Sequence, residues 1–322
     1  MIINNKFLIK SIKNIVFFGY SEKIFELIEI NKNLNLKSSV ITTSDQANLI
    51  DSRIKKKVFN NIDNNFTNFI SKNFDIKSTL FISMGARYIF TKKIINDLFL
   101  NNLINFHHSR LPLDAGGGGY TWRILREDRI DNQLVHLVDE GIDSGPIIES
   151  LASIYPSYCK VPIDFENYKL ERFLEFYKKI ILKIVSGKTF PLKIQANYFG
   201  RYNPRLSSDK DGHIDWNLDS RDLYNFINAF DEPYSGANTY LNNGDFGKLY
   251  IKKAHLHGGD FSNHPYLSGI VSRHDKNWIV VNTSGKHVLL LEEVLDKNGK
   301  NILSKIKVGD RFYTKVSELE KS

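Results

Sequence analysis

Cysteine is almost missing from this chain: Cys159 is the one example in 322 residues, so no intrachain disulfide is possible. That composition suits a reducing, cytoplasmic compartment. No uninterrupted apolar run approaches the length that spans a bilayer. Met1 to Lys13 breaks its apolar residues with Asn and Lys and has no small-residue cleavage site, so neither a membrane span nor a secretory leader is expected. Two glycine signatures are absent as well. The first strand-like run is followed by Gly19 alone, where a dinucleotide fingerprint needs three glycines, and Gly116-Gly117-Gly118-Gly119 is not followed by Gly-Lys-Ser/Thr. Basic clustering is scarce too. The 44 Lys+Arg against 36 Asp+Glu give a formal charge of +8, yet Lys55-Lys56-Lys57 is the only basic run. Such a surface suits small anionic partners or plain solvation, whereas a nucleic-acid face calls for clustered charge.

What is present is enough apolar residue for two cores: 42% hydrophobic over 322 residues. Strand-like runs at Ile12 to Phe18, Val40 to Thr43 and Ser78 to Ser83 alternate with helix-like stretches at Glu22 to Asn31 and Phe66 to Phe74. A helix capped by Thr91 is expected through Phe99, and a longer one over Ile163 to Ser186. This pattern predicts an α/β, Rossmann-like N-terminal domain with a mostly parallel sheet. From Tyr198 the composition turns polar, and a helix at Ser220 to Phe230 precedes short strands such as Trp278 to Val281 and His287 to Leu291. We expect a smaller C-terminal β-barrel of OB-like type, with a catalytic domain over residues 1–203 and the helix-plus-barrel domain over 204–322.

The chemistry concentrates in two stretches. In Leu103-Ile104-Asn105-Phe106-His107-His108-Ser109-Arg110-Leu111-Pro112, strand alternation puts Asn105 and His107 on one side and Phe106 and His108 on the other. The strand-like Leu134 to Val138 then leads into Asp139-Glu140-Gly141-Ile142-Asp143-Ser144-Gly145-Pro146, an acidic turn. If the two strands are neighbours, a carboxylate reaches the imidazole. Such a set suits acyl transfer to an amine: Asn donates to a developing oxyanion, His takes the amine's proton and Asp orients the His. His108 and His136 are read as structural, because adjacent strand residues diverge and no metal set converges.

Both stretches together resemble the signature of the N10-formyltetrahydrofolate-dependent formyltransferases, whose pattern is Asn-x-His-x-Ser-x-Leu-Pro followed by an acidic loop ending in the catalytic Asp. The resemblance implies that Asn105, His107 and Asp143 are catalytic and that N10-formyltetrahydrofolate is the co-substrate, with no metal. It further implies a folate wall at Met84, Gly85, Tyr88, Ile89 and Phe90, joined by Asp139 and Ile142. After Pro112 the family's usual Arg-Gly-x-x-Pro is replaced by the glycine run, whose backbone could cradle an anion. Gly117, Gly118, Tyr120 and Trp122 are the acceptor-contact candidates there.

The likeness continues in Arg201-x-x-x-Arg205 before Ile214-Asp215-Trp216, and in Ala229-Phe230 leading to Pro233-Tyr234-x-Gly236-Ala237. Arg201 and Arg205 could clamp a diphosphate or be solvated linker residues, and Tyr234 is a further acceptor candidate. Within the family, methionyl-tRNA formyltransferases usually carry an extended basic loop after the second strand. Here that region is the short, acidic Ser44 to Asp51. The expectation is therefore a cytoplasmic, homodimeric N-formyltransferase acting on a nucleotide-linked amino-dideoxysugar of the kind built into O-antigen, with methionyl-tRNA as the alternative acceptor.

Overall fold

The computed structural model describes residues 2–3, 5–9, 11–117, 119–196 and 200–320, of which 2, 3 and 261 by backbone alone. It divides into two compact units: Met1–Ala115 with Ile130–Ile154 and Lys169–Tyr202, and Gly116–Arg129 with Tyr155–Tyr168 and Asn203–Ser322. Gly116–Arg129 and Tyr155–Tyr168, which a linear division at 203/204 assigns to the first domain, count with the second unit. The reason is apolar: Ile124, Tyr155, Cys159 and Phe165 lie in that unit's core.

The first unit is built on a seven-stranded sheet. Its strands are β1 (Asn14–Gly19), β2 (Lys37–Thr42), β3 (Lys56–Val58), β4 (Thr79–Met84), β5 (Leu103–His107), β6 (Ile130–Leu137) and β7 (Ile147–Ile154). Their order across the sheet is β7-β6-β5-β4-β1-β2-β3. β5, β4, β1, β2 and β3 run parallel, while β6 pairs antiparallel with β5 and β7 antiparallel with β6. The Rossmann-like expectation holds. Two-residue alternation makes the layers: Ile15 and Phe17 of β1 enter one core, and Val16 and Phe18 the other. Under β5, Phe106 meets Phe173 and Phe176 at 5.7 and 6.0 Å and Tyr177 at 5.3 Å, all three on the helix Pro162–Val185.

The ends of β1 and β4 touch closely. Gly19 has φ +96, and a Cβ there would lie 2.4 Å from the Met84 carbonyl oxygen. Only glycine tolerates both the backbone conformation and the approach. Thr91 caps as expected, its Oγ1 accepting from the Ile94 N–H at 3.4 Å, but the helical segment that follows widens to a π-type turn, Ile94–Leu98, in which the Phe99 N–H reaches back to the Ile94 carbonyl. Helices α1 (Ile24–Asn33) and α2 (Asn64–Asn73) have their expected places, α2 capped by the Asp63 side chain accepting from the Phe66 N–H.

The second unit is an antiparallel sheet of six strands. They are β8 (Ala237–Leu241), β9 (Leu249–Asn263), β10 (Val271–His274), β11 (Ile279–Val281), β12 (Gly285–Leu295) and β13 (Phe312–Tyr313). In the order β10-β11-β12-β9-β8-β13 the sheet curls until its edges meet, with the Val271 N–H donating to Asp310 and the Phe312 N–H to Gly269. Inside, Trp216 stacks on Phe312 at 5.5 Å and donates its indole N–H to Thr239. The helix Ser220–Ala229, capped by Asp219, adds Leu223 and Ile227 to this core. No described helix is long and apolar enough to cross a membrane.

Phe106 is the largest side chain of β5 on the face opposite Asn105 and His107. Phe106→Ala should therefore destabilise the protein by about 3–5 kcal/mol. A urea-denaturation midpoint within error of the unaltered protein's would count against that packing.

Candidate active site

The site grows from strand register. β5 lies between β4 and β6, with Ser83 and His136 as the Cα partners of Asn105 and Leu134 as the partner of His107. Side chains paired across neighbouring strands share a face, so Ser83, Asn105 and His136 form a polar row. The opposite face carries Ile82, Ile104 and Val135 into the core. Burying one face this way fixes the register, since a one-residue slip would exchange the two sets.

Asp143 is brought to this row by the turn after β6. Its φ is +54, in the left-handed region that Asp tolerates better than most residues. Two residues on, a Cβ at Gly145 would meet the Leu137 carbonyl oxygen at 1.8 Å, so the turn closes only with glycine there. The Leu137 N–H donates to Pro146 and the Val138 N–H to Leu103, tying both ends of the turn to β5 and β6. Gln195 donates from Nε2 to the carbonyls of Asp143 (2.8 Å) and Gly145 (2.7 Å).

The predicted trio converges. His107 Nε2 lies 3.7 Å from Asp143 Oδ2, and Asn105 Nδ2 donates to Asp143 Oδ1 at 3.3 Å. A fourth member joins them: His136 Nε2 is 3.1 Å from Asn105 Nδ2 and 3.6 Å from Asp143 Oδ1. The His136 Nδ1 atom sits 2.7 Å from the Leu137 carbonyl, which can only accept, so Nδ1 carries a proton. In the neutral ring Nε2 is then left to accept from Asn105. The sequence reading took His136 as structural. Its signal was available in the register, because the residue opposite Asn105 on an antiparallel partner shares its face.

Electrostatics leave the imidazole neutral and the carboxylate charged. Enclosure by protein pushes the His107 pKa below the ordinary value; Asp143 opposes this, and the nearby charges of His136 and Lys169 reinforce it. The ring is therefore neutral at neutral pH, with 26% of its side chain open to solvent. Burial alone would raise Asp143, but His136, the charge of His107 and the Asn105 amide outweigh it and hold the carboxyl below its usual range. His108 points the other way, edge-on to Phe173 at 5.1 Å, and burial holds it well below the ordinary histidine range.

The folate candidates divide. Tyr88 and Phe90 lie in the aromatic core around Phe18, and Tyr88 donates its hydroxyl to the Phe59 carbonyl. Met84 is buried, and its carbonyl accepts from the Tyr20 N–H. The Gly85 carbonyl accepts from Gln46 Nε2. Ile89 and Ile142 are 78% and 86% exposed. The Asp139 carboxylate is used within the turn, accepting from Ser144 Oγ and the Gly141 N–H, and it borders a cavity of about 220 Å3 lined also by Ile95, Val138 and Pro146.

The acceptor candidates are dispersed. Arg201 donates to Asp114 Oδ1 at 3.0 Å, while Arg110 binds Oδ2 at 2.9 Å. In the second unit Trp122 donates to the Pro204 carbonyl, Tyr120 lies 6.2 Å from Phe165, and Arg205 is exposed with its Cβ against Gly117. Tyr234 is half-buried after the helix Ser220–Ala229, and Gly118 and residues 197–199 lie outside the described residues. Among the described residues no group of three or more His, Cys, Asp or Glu is placed to hold a metal ion.

Residues 207–306 match the model of the formyl transferase C-terminal domain. That part of the chain is a formyl transferase C-terminal domain. The chain is 27% identical to a methionyl-tRNA formyltransferase of Clostridium botulinum over 236 residues, 72% of this chain and 71% of the relative. Its fold is similar to that of WlaRD, described as a sugar 3N-formyl transferase in the presence of dTDP and 5-N-formyl-THF (TM-score 0.61, 20% identity, 88% of this chain and 98% of the other). It is also similar to an N-formyltransferase of Helicobacter canadensis in complex with folinic acid and dTDP-3-aminofucose (TM-score 0.64, 17% identity, 87% and 99%).

If His136 holds the Asn105 amide, His136→Leu should lower the rate of formyl transfer about ten- to hundredfold, as small misplacements of reacting groups do. His136→Gln, which keeps an acceptor, should lose less. Single-turnover rates that are equal in all three proteins would overturn the role.

Proposed function

We propose that this enzyme moves the formyl group of N10-formyltetrahydrofolate to the free amine of a nucleotide-linked amino-dideoxysugar. The observation that carries the transfer step is the convergence of neutral His107, ionised Asp143 and Asn105 at the C-terminal end of β5. The amine attacks the formyl carbon and His107 takes the proton it loses. The Asn105 amide supplies the donor for the oxygen as negative charge develops there. Asp143 orients His107 and stabilises the imidazolium. Collapse of the tetrahedral species breaks the bond to the folate nitrogen, which receives the proton back through His107.

The co-substrate fits the residues beside this row. Exposed Ile89 and Ile142 offer apolar contact, and the cavity between Ile95 and Asp139 offers both apolar wall and polar atoms. The sugar-nucleotide acceptor is supported by the short segment after β2, where the helical turn Ser44–Ala47 stands in place of a long basic loop, and by the solved neighbours' own ligands. The Arg110–Asp114–Arg201 cluster is a candidate for the diphosphate. On this reading the enzyme is a cytoplasmic homodimer, with Gly117, Trp122, Arg205 and Tyr234 as further acceptor contacts. The 27% identity to a methionyl-tRNA formyltransferase favours a second reading, with methionyl-tRNA as the acceptor.

Purified protein supplied with N10-formyltetrahydrofolate should release tetrahydrofolate with one dTDP-, GDP- or UDP-linked amino sugar, and not with methionyl-tRNA. Turnover on methionyl-tRNA alone would establish the second reading instead. His107→Ala should reduce the rate by about a hundredfold or more.

The pH dependence follows from the sign of the His107 shift. A base whose pKa lies below the ordinary value of about 6.5 stays neutral, and active, at pH 7. The limb that the ring's proton adds to kcat/KM should lie below that value, apart from any limb set by protonation of the substrate amine itself, and His107→Ala should lack it. An acid limb unchanged in His107→Ala would remove His107 from the role.

A further inference from the structure

We propose that Gln195 is a positioning residue that holds Asp143 in reach of His107, a role that rests on the formyl-transfer reading. Gln195 lies 52 residues from Asp143 in sequence, outside every motif that marks the site. Its Nε2 nevertheless donates to two carbonyls of the acidic turn, Asp143 at 2.8 Å and Gly145 at 2.7 Å. Both partners can only accept, so the amide nitrogen and not its oxygen must face them.

Backbone pairing fixes where Gln195 stands. Lys193 and Ile147 exchange both hydrogen bonds, Lys193 N–H to Ile147 at 2.9 Å and Ile147 N–H to Lys193 at 2.8 Å, at the point where the turn enters β7. Gln195 follows two residues on, where its side chain reaches the turn.

The turn needs such a tie. Asp143 holds a left-handed conformation and Gly145 is pressed against the Leu137 carbonyl. The carbonyls of Asp143 and Gly145 fall outside the β5–β6–β7 ladders and require donors from elsewhere. One amide supplies both, and it grips the two residues on either side of Ser144. Releasing it lets the Asp143 carboxylate leave the 3.7 Å position from which it acts on His107.

The test compares Gln195→Glu, which keeps the shape but cannot donate, with Gln195→Ala, in the unaltered and the Asp143→Asn backgrounds. With Asp143 present, each should lower kcat tenfold or more. Because Asp143 opposes the downward shift of His107, each should also move the acid limb of kcat/KM to lower pH. In Asp143→Asn the same changes should alter kcat less than twofold, as expected for groups acting as one unit. Full activity in Gln195→Glu, or equal losses in both backgrounds, would overturn the assignment. Amide hydrogen exchange gives a readout that needs no substrate: Gln195→Ala should speed exchange over residues 139–147 and leave β1 and β4 protected. If the unaltered protein transfers no formyl group to any acceptor, the proposed function fails while this exchange result still decides the clamp, and unchanged exchange over 139–147 refutes it.

Discussion

The antiparallel pairing of β6 with β5, in the register that sets His136 beside Asn105, is the constraint on which the site depends. It does two things in one step. Below the sheet it sends Ile104, Phe106, Val135 and Leu137 into a continuous apolar core, and above it the same alternation leaves Asn105, His107 and His136 together. Burial of the apolar face supplies the energy that holds the polar face in register. The reversal of direction at β6 matters equally. The turn 139–146 therefore leaves β6 beside Leu103 and Ile104, at the start of β5, and brings Asp143 back over the polar face to 3.7 Å from His107, so the carboxylate arrives from the next connection in the chain.

Within that frame the groups are interdependent. An isolated buried carboxylate would take up a proton, and Asp143 stays ionised because His136, His107 and Asn105 all face it. His107 loses more to enclosure than it regains from Asp143, which keeps it a free base near neutrality. Both groups are shifted downward, which leaves the imidazole a neutral base and the carboxylate an anion near neutrality, the two states that the proposed general base and its orienting anion require. His136 holds one of the two Asn105 N–H bonds at 3.1 Å and fixes the amide plane, and the other, which meets Asp143 at 3.3 Å in the resting site, is the one that a carbonyl oxygen would take on the proposed reading. Preorganisation of this kind is what makes a hydrogen-bond donor effective toward developing charge.

Much of this was legible in the residues. Period-two alternation and glycine punctuation suffice for the order of strands and helices, and the Asn105-x-His107 pair with Asp143 downstream carries its own chemistry. What stayed hidden depended on partners far apart in the chain. His136 looks like any strand histidine until its cross-strand neighbour is known, and Gln195 has no pattern around it at all. Tyr88 and Phe90 suited a ligand wall by composition, but the pull of Phe18, Phe66 and Phe99 takes both into the core and leaves Ile89 outside. The segments 116–129 and 155–168 could not be assigned by linear order, since their loyalty is set by which core Ile124 and Phe165 enter.

The proposed catalytic row suits a reaction without specifying an acceptor, because any unprotonated amine needs the same donor, base and anion. Discrimination must come from charges outside the row. Asp114 is half-buried, and although burial alone would raise its carboxyl, Arg201 and Arg110 together hold it below its usual range. This trio carries one excess positive charge and two planar guanidinium forks. On the proposed reading, a diphosphate brings its own negative charge to such a cluster and shares Arg201 with Asp114, while Arg110 keeps the carboxylate in place. A single exposed lysine, hydrated and mobile, offers no comparable geometry. A fixed fork of this kind discriminates by shape as well as charge, which is the form of recognition a small, doubly anionic linker requires and a long polyanion bound by scattered surface charge does not.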